Sequence, residues 1–289
     1  MDSTSIKFII ISPVRNEEKN IDYTVQSVLA QTIKPAKWII VDDGSSDKTP
    51  EIIKKYLPNN AWISLIQLAD RGYYDLMGGG EIKAFYKGYE TIGDEDYDFL
   101  VKLDGDISFD KKYFEDLFRE FELNHRLGIA SGSLFNIRGD NKLFQEKTYK
   151  HHPRGGARAY RKECWEDIGG VEDRLTWDAI DVYKARMLGW DTYNFEKIKA
   201  THHVKTWEKG GVTHGLMRAG RLQYLMGTHY LFFVVKVFKR VFSKPYLFGA
   251  FFMFYGYLKS YISGEEKVPE PELLNYIRKE QLKRLRLSR

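Results

Sequence analysis

Cysteine is almost absent from this chain of 289 residues. Cys164 stands alone, so no internal disulfide can form and a reduced compartment is the expected setting. An apolar leader is missing as well, since Met1 to Ser5 is polar, and a cytoplasmic location is expected. Nowhere do about 20 apolar residues run without interruption, the length a membrane-spanning helix needs. The two most aromatic stretches, HYLFFVVKVFKRVF and PYLFGAFFMFYGYLKSYI, are broken by Lys236, Lys239 and Arg240 and closed by Lys259. Internal repeats and low-complexity segments are also lacking, which excludes a solenoid. Acidic charge is scarce at one end. From Val234 to Arg289 there are 12 Lys and Arg against 5 Asp and Glu, a balance of +7, and the remaining residues carry −2 of the total of +5. Phe and Tyr crowd between those lysines, which favours an anionic membrane surface over nucleic acid as the partner. The alternative is a pair of amphipathic helices packed on protein.

Apolar residues make up 43% of the chain, enough for a large core. Short β-branched runs alternate with helical patterns. IKFIIIS reads as a strand, and Ile21, Val25, Val28 and Leu29 follow at helical spacing. KWIIV, WISLIQL and YDFLVKL are three further strands, with helices between and after them. This α/β alternation predicts a mainly parallel, Rossmann-like sheet covered by helices, with ligands bound at the carboxyl ends of its strands. Three polar clusters fall at those ends: Pro13 to Glu17, Asp42 to Asp47, and Asp104 to Asp106. Asp104 and Asp106 lie two apart, so both side chains leave one face. Two carboxylates that close repel each other unless a cation lies between them or water screens them.

Five segments, SPVRNEEKNI, VDDGSSDKT, KLDGDISFD, RGGARAYRKECWEDIGG and WDAIDVYKARMLGW, resemble in order and spacing the motifs of family 2 glycosyltransferases with a GT-A fold. The resemblance covers roughly residues 6–230 and implies a catalytic domain over residues 1–230; the composition of the remainder predicts a C-terminal helical, membrane-associating tail over 231–289. It implies inverting transfer of a sugar from a nucleotide-sugar, with UDP the preferred carrier, to a polysaccharide or lipid-linked acceptor, using Mg²⁺ or Mn²⁺. Pro13 and Glu17 would then line the ribose and base pocket, with Asp43 at the base. Lys83 would serve the diphosphate, with Lys87 as a substitute, and Asp104 and Asp106 would hold the metal, Asp104 also meeting the nucleotide. His203 would be a further metal ligand or diphosphate contact. Asp178 would be the general base; Trp177 stands where the family usually carries an acidic neighbour. Asp181, one helical turn on, is the rival base, or else an i, i+3 partner of Lys184. Arg154, Arg158, Tyr160 and Trp177 are candidates for the donor sugar or acceptor, although RGGARAYR equally fits a hairpin with solvated arginines. A sugar-nucleotide nucleotidyltransferase is the alternative enzyme, but SPVRNEEKN lacks the glycines of its phosphate loop, and the same lack counts against a dinucleotide-binding dehydrogenase. A non-catalytic membrane-tethered scaffold would keep fold and tail and need no acidic site.

Overall fold

Seven consecutive residues of strand β1 (Phe8–Val14) are buried, because the strand lies in the middle of a sheet covered on both sides. The computed structural model describes residues 6–70, 80–138, 142–146, 148–204 and 211–286. After β1 come α1 (Ile21–Leu29), β2 (Lys37–Asp42), α2 (Thr49–Lys54), β3 (Ile63–Gln67), α3 (Gly80–Tyr89) and β4 (Phe99–Leu103). The strands of this half pair in the order β3-β2-β1-β4, all parallel, as the alternating pattern requires. Most of the glycine-rich loop before Lys83 lies outside the described residues.

The period-2 geometry of β1 sorts its side chains into two layers. Phe8 and Ile10 pack with Val25 and Val28 of α1 and with Phe114, Phe118 and Phe121 of α4 (Tyr113–Leu123). Ile9 and Ile11 face the other way, toward Ile82 and Phe85 of α3 and Trp165 of α5 (Lys162–Ile168). Each fully buried aromatic contributes about 1.5–3 kcal/mol of transfer free energy, so these layers hold the sheet's helices in place.

The second half of the sheet is mixed. It comprises β5 (Ile107–Phe109), β6 (Leu127–Arg138), β7 (Lys142–Gln145), β8 (Ala157–Arg161) and β9 (Asp191–His202), with α6 (Trp177–Met187) before β9. β8 runs antiparallel to both β4 and β6, so RGGARAYR enters the sheet centre and is no hairpin. β6 was not apparent in GIASGSLFNIR. It pairs parallel with β9, and the register shifts at Gly132 and Ser133. A Cβ on Gly132 would lie 2.5 Å from the Ile198 carbonyl oxygen, so the shift needs the bare glycine.

The chain divides into two compact units, Met1–Val204 and Lys205–Arg289. The sequence boundary at 230 instead falls inside the second unit, after α7 (Gly211–Leu225). The reason is that α7 packs on α9 (Tyr246–Ile262): a Cβ on Gly220 would lie 1.8 Å from the Met253 carbonyl oxygen. This unit also contains α8 (Tyr230–Val241) and α10 (Pro271–Arg286). No helix among the described residues is long and apolar enough to cross a membrane.

Candidate active site

The three polar clusters meet at one edge because β1, β2 and β4 are parallel neighbours and end together. Pro13 is buried in β1 opposite Val41. Asp43 follows β2, buried, and its backbone N–H donates to the Val14 carbonyl at 2.9 Å. The neighbouring Asp42 is a turn builder, accepting from the Ser45 N–H at 3.0 Å. Glu17 starts α1: its carbonyl accepts the N–H groups of Asn20 and Ile21, and its carboxylate accepts from Asn20 Nδ2 at 2.8 Å. Gly105 brings the β4 end against it. A Cβ there would lie 2.8 Å from Val14 Cγ1 and 3.3 Å from Glu17 Cγ, and the Gly105 carbonyl accepts from the buried Thr24 hydroxyl. Pro13, Glu17, Asp43 and the Asp104–Asp106 turn thus share one cleft edge.

Asp104 is held by a lysine the sequence reading passed over. Lys102, fully buried on β4, places its ammonium on both Asp104 Oδ1 and Glu81 Oε1. It lies 4.9 Å from the ring centre of Trp177, with the Arg158 guanidinium 5.4 Å from the same ring. Burial pushes the Asp104 carboxyl up to about 7, the ammonium of Lys102 opposing and the Glu81 and Asp106 carboxylates adding to it. A charged residue in an otherwise apolar strand was the available signal. Lys83, expected at the diphosphate, is exposed and pairs with Asp173 at 3.5 Å, while Lys87 pairs with Glu90; the lysine brought to Asp104 is Lys102.

Asp106 Oδ1 is buried without a hydrogen-bond partner among the described residues. Its other oxygen meets His202, not His203: His202 Nε2 is 3.2 Å from Asp106 Oδ2, and Nδ1 is 2.8 Å from Glu146 Oε1. Neighbours on a strand point to opposite faces, so a choice between adjacent histidines turns on register alone. His203 instead stacks on Tyr23 at 4.8 Å and has Nε2 2.8 Å from Ser108 Oγ. Burial disfavours a charged His202, but its bond to Asp106 and the field of Asp104 outweigh this and raise its pKa. Arg154 caps the group, bonded to Glu146 and, through its backbone N–H, to Ser131. Its guanidinium also lies in the fields of Asp178 and Asp104. Glu146, in a stretch without periodicity, gave no sequence signal.

Asp178 and Asp181 are one helical turn apart and differ completely. Asp181 is fully buried, accepting from Arg158 Nη1 and the Tyr160 hydroxyl, each at 2.5 Å. Arg158 is equally buried and braces the start of α6 through the Pro153 and Asp178 carbonyls. Neither Arg158 nor Tyr160 has surface to offer a sugar, contrary to the sequence expectation. The half-buried Asp178 carboxylate makes no hydrogen bond among the described residues. Trp177 is nearly covered. Between Asp178 and Asp104 runs the backbone of Gly155 and Gly156. A Cβ on Gly155 would lie 3.4 Å from Asp178 Cβ, and one on Gly156 would lie 2.8 Å from Asp104 Oδ2. The Gly156 carbonyl accepts the Asp104 N–H at 2.8 Å, fixing this spacer to the strand end.

Among the described residues no three carboxylate, imidazole or thiol groups converge into a ready-made cation cage. The orphaned Asp106 oxygen beside a second carboxylate nevertheless suits a hard cation that takes one or two carboxylates and completes its shell from substrate phosphates.

A helix-covered sheet of this kind, mostly parallel in its first half and with paired carboxylates at the end of β4, has the architecture of the GT-A fold. The glycosyl transferase family 2 model matches residues 9–172, more than half of the chain, and the chain belongs to that family. It is 30% identical over 118 residues to the poly-beta-1,6-N-acetyl-D-glucosamine synthase of Staphylococcus aureus, covering 41% of this chain and 26% of the synthase. It is 29% identical over 129 residues to the 4,4'-diaponeurosporenoate glycosyltransferase of the same species, covering 44% of this chain and 32% of that protein. The aligned regions thus span about a quarter to a third of these relatives' lengths. Among solved structures, the fold matches the mannosyltransferase PcManGT of Pyrobaculum calidifontis in complex with GDP-Man and Mn²⁺, with a TM-score of 0.58, 13% identity and coverage of 91% and 78% of the two chains. It also matches S. aureus TarS 1-349 in complex with UDP-GlcNAc, with a TM-score of 0.54, 16% identity and coverage of 75% and 65%.

Proposed function

We propose that the protein transfers a sugar, with inversion, from a UDP-sugar to a hydroxyl of a saccharide or lipid-linked acceptor, with a divalent cation. The observation that carries this reading is the unpaired Asp178 carboxylate, set across the Gly155–Gly156 spacer from Asp104 while Asp181 is locked to Arg158. In this reading the acceptor oxygen attacks the anomeric carbon, its proton passes to Asp178, and the bond from that carbon to the diphosphate breaks on the opposite side. Asp104 and Asp106, with His202 behind them, would hold Mg²⁺ or Mn²⁺, which when bound supplies positive charge to the leaving diphosphate. Glu17, Pro13 and Asp43 line the edge where a nucleoside would lie. The nucleotide-sugar and Mn²⁺ complexes of the structural neighbours support this choice of donor and metal, and the polysaccharide synthase relative supports a saccharide acceptor.

The test combines melting curves with a transfer assay. UDP with Mn²⁺ should raise the melting temperature, and Asp106→Asn should remove the metal-dependent part. Asp178→Asn should lower transfer about 10²- to 10⁴-fold, the usual worth of a positioned base, with donor affinity unchanged. An active Asp178→Asn variant would assign the proton elsewhere.

A further inference from the structure

Helix α9 is built inside out. Its covered face is Gly249, Met253, Gly256 and Ser260, at helical spacing, and the approach to α7 is so close that a Cβ on Gly256 would lie 2.0 Å from the Met217 carbonyl oxygen. With small residues consumed at the contact, the large ones remain outside. Phe248, Phe251, Phe254 and Leu258 are exposed, Phe248 by 73% and Phe251 by 60%. On α8 the same spacing exposes Leu231, Val234 and Phe238. A helix in water normally buries its large apolar side chains. Small residues inward and large ones outward is the arrangement of helices whose outer face meets hydrocarbon. Neither helix can cross a bilayer, so the contact is in-plane.

Charge selects the occupant. From Tyr230 to Ile262 there are five basic residues, Lys236, Lys239, Arg240, Lys244 and Lys259, and not one acidic residue. A second copy laid on this face would oppose cation to cation, whereas anionic headgroups neutralise them. Lys239, Lys244 and Lys259 are exposed beside the aromatics, with stems long enough to reach phosphates. We infer that α8 and α9 form a docking surface for an anionic phospholipid bilayer, with the aromatic side chains in the headgroup and acyl boundary and the lysines at the phosphates. This surface stands independently of the reaction proposed above.

The experiment is co-sedimentation of the full chain with vesicles of phosphatidylcholine alone or mixed with phosphatidylglycerol, alongside sedimentation velocity without lipid. Strong binding to the mixed vesicles, weakened by salt, is expected. The triple variant Phe248→Ser, Phe251→Ser, Phe254→Ser should bind about 100-fold more weakly, as loss of this much buried apolar area requires. Lys239→Glu with Lys244→Glu should abolish the preference for phosphatidylglycerol. Both variants alter exposed positions, and an unchanged melting curve verifies their fold. Undiminished vesicle binding by the triple variant overturns the proposal. So does a lipid-free wild-type dimer that this variant dissolves while neither protein binds vesicles, which would make a second copy the occupant.

Discussion

Helix α4 carries three phenylalanines and helix α9 four, and the two helices treat them in opposite ways. On α4, Phe114, Phe118 and Phe121 are wholly buried beneath the sheet, while the charged residues face water. On α9, Phe248, Phe251 and Phe254 are exposed, and Gly249, Ala250, Met253, Gly256 and Ser260 occupy the covered side. The difference lies in the partner. α4 meets a sheet whose Phe8 and Phe99 leave room for rings packed with centroids 4.6–5.0 Å apart. α9 meets the backbone of α7, where only bare glycine permits the approach. The aromatic content of a helix therefore does not say which way the rings point; the size of the residues at the contact does. The same contrast recurs within α6, where Asp181 is spent on Arg158 and Asp178, one turn earlier, is left for other work.

Exchanging the roles of these positions tests the contrast. The largest effect is expected from Phe118→Ala, which should lower the stability of the first unit by about 3–5 kcal/mol in a denaturant melt. Asp181→Asn strands the Arg158 charge in the core and should cost about 3–5 kcal/mol; Asp178→Asn should leave the melt unchanged, so equal melts for the two variants would refute the distinction. Gly256→Leu pushes α9 off α7 and should cost the second unit about 3 kcal/mol, at the upper end of overpacking penalties. Phe251→Ala is the smallest, within about 0.5 kcal/mol in lipid-free buffer. A large loss there would mean that the ring is covered in solution.

The sequence made the parallel half of the sheet legible because β1, β2 and β4 are predominantly apolar runs that end in polar turns. The Asp104–Asp106 turn was legible for a similar reason, since it sits where β4 gives way to β5. β6 was hidden because Gly128, Ser131, Gly132 and Ser133 are there for the convenience of neighbours: glycine admits Cys164 and the β9 backbone, and Ser133 accepts from Asn194 at 2.7 Å. Lys102 was overlooked because a lysine in a strand reads as a surface residue until Glu81 and Asp104 are seen to enclose it. The exchange of His203 for His202 reflects a one-residue register that no local pattern encodes.

The Gly155–Gly156 spacer carries a consequence for how such a site diversifies. A partition made of main chain has no rotamers, and its thickness cannot be adjusted by exchanging one side chain for another. Under the proposed chemistry, walls built from Trp177, Arg154 or Glu17 would be open to repacking one substitution at a time, and donor preference would drift with them. The gap between Asp104 and Asp178 is instead set by a peptide unit hydrogen-bonded to the end of β4. Under the proposed chemistry, the identity of the sugar is the variable part of this design, and the stereochemical outcome is the part the backbone keeps constant.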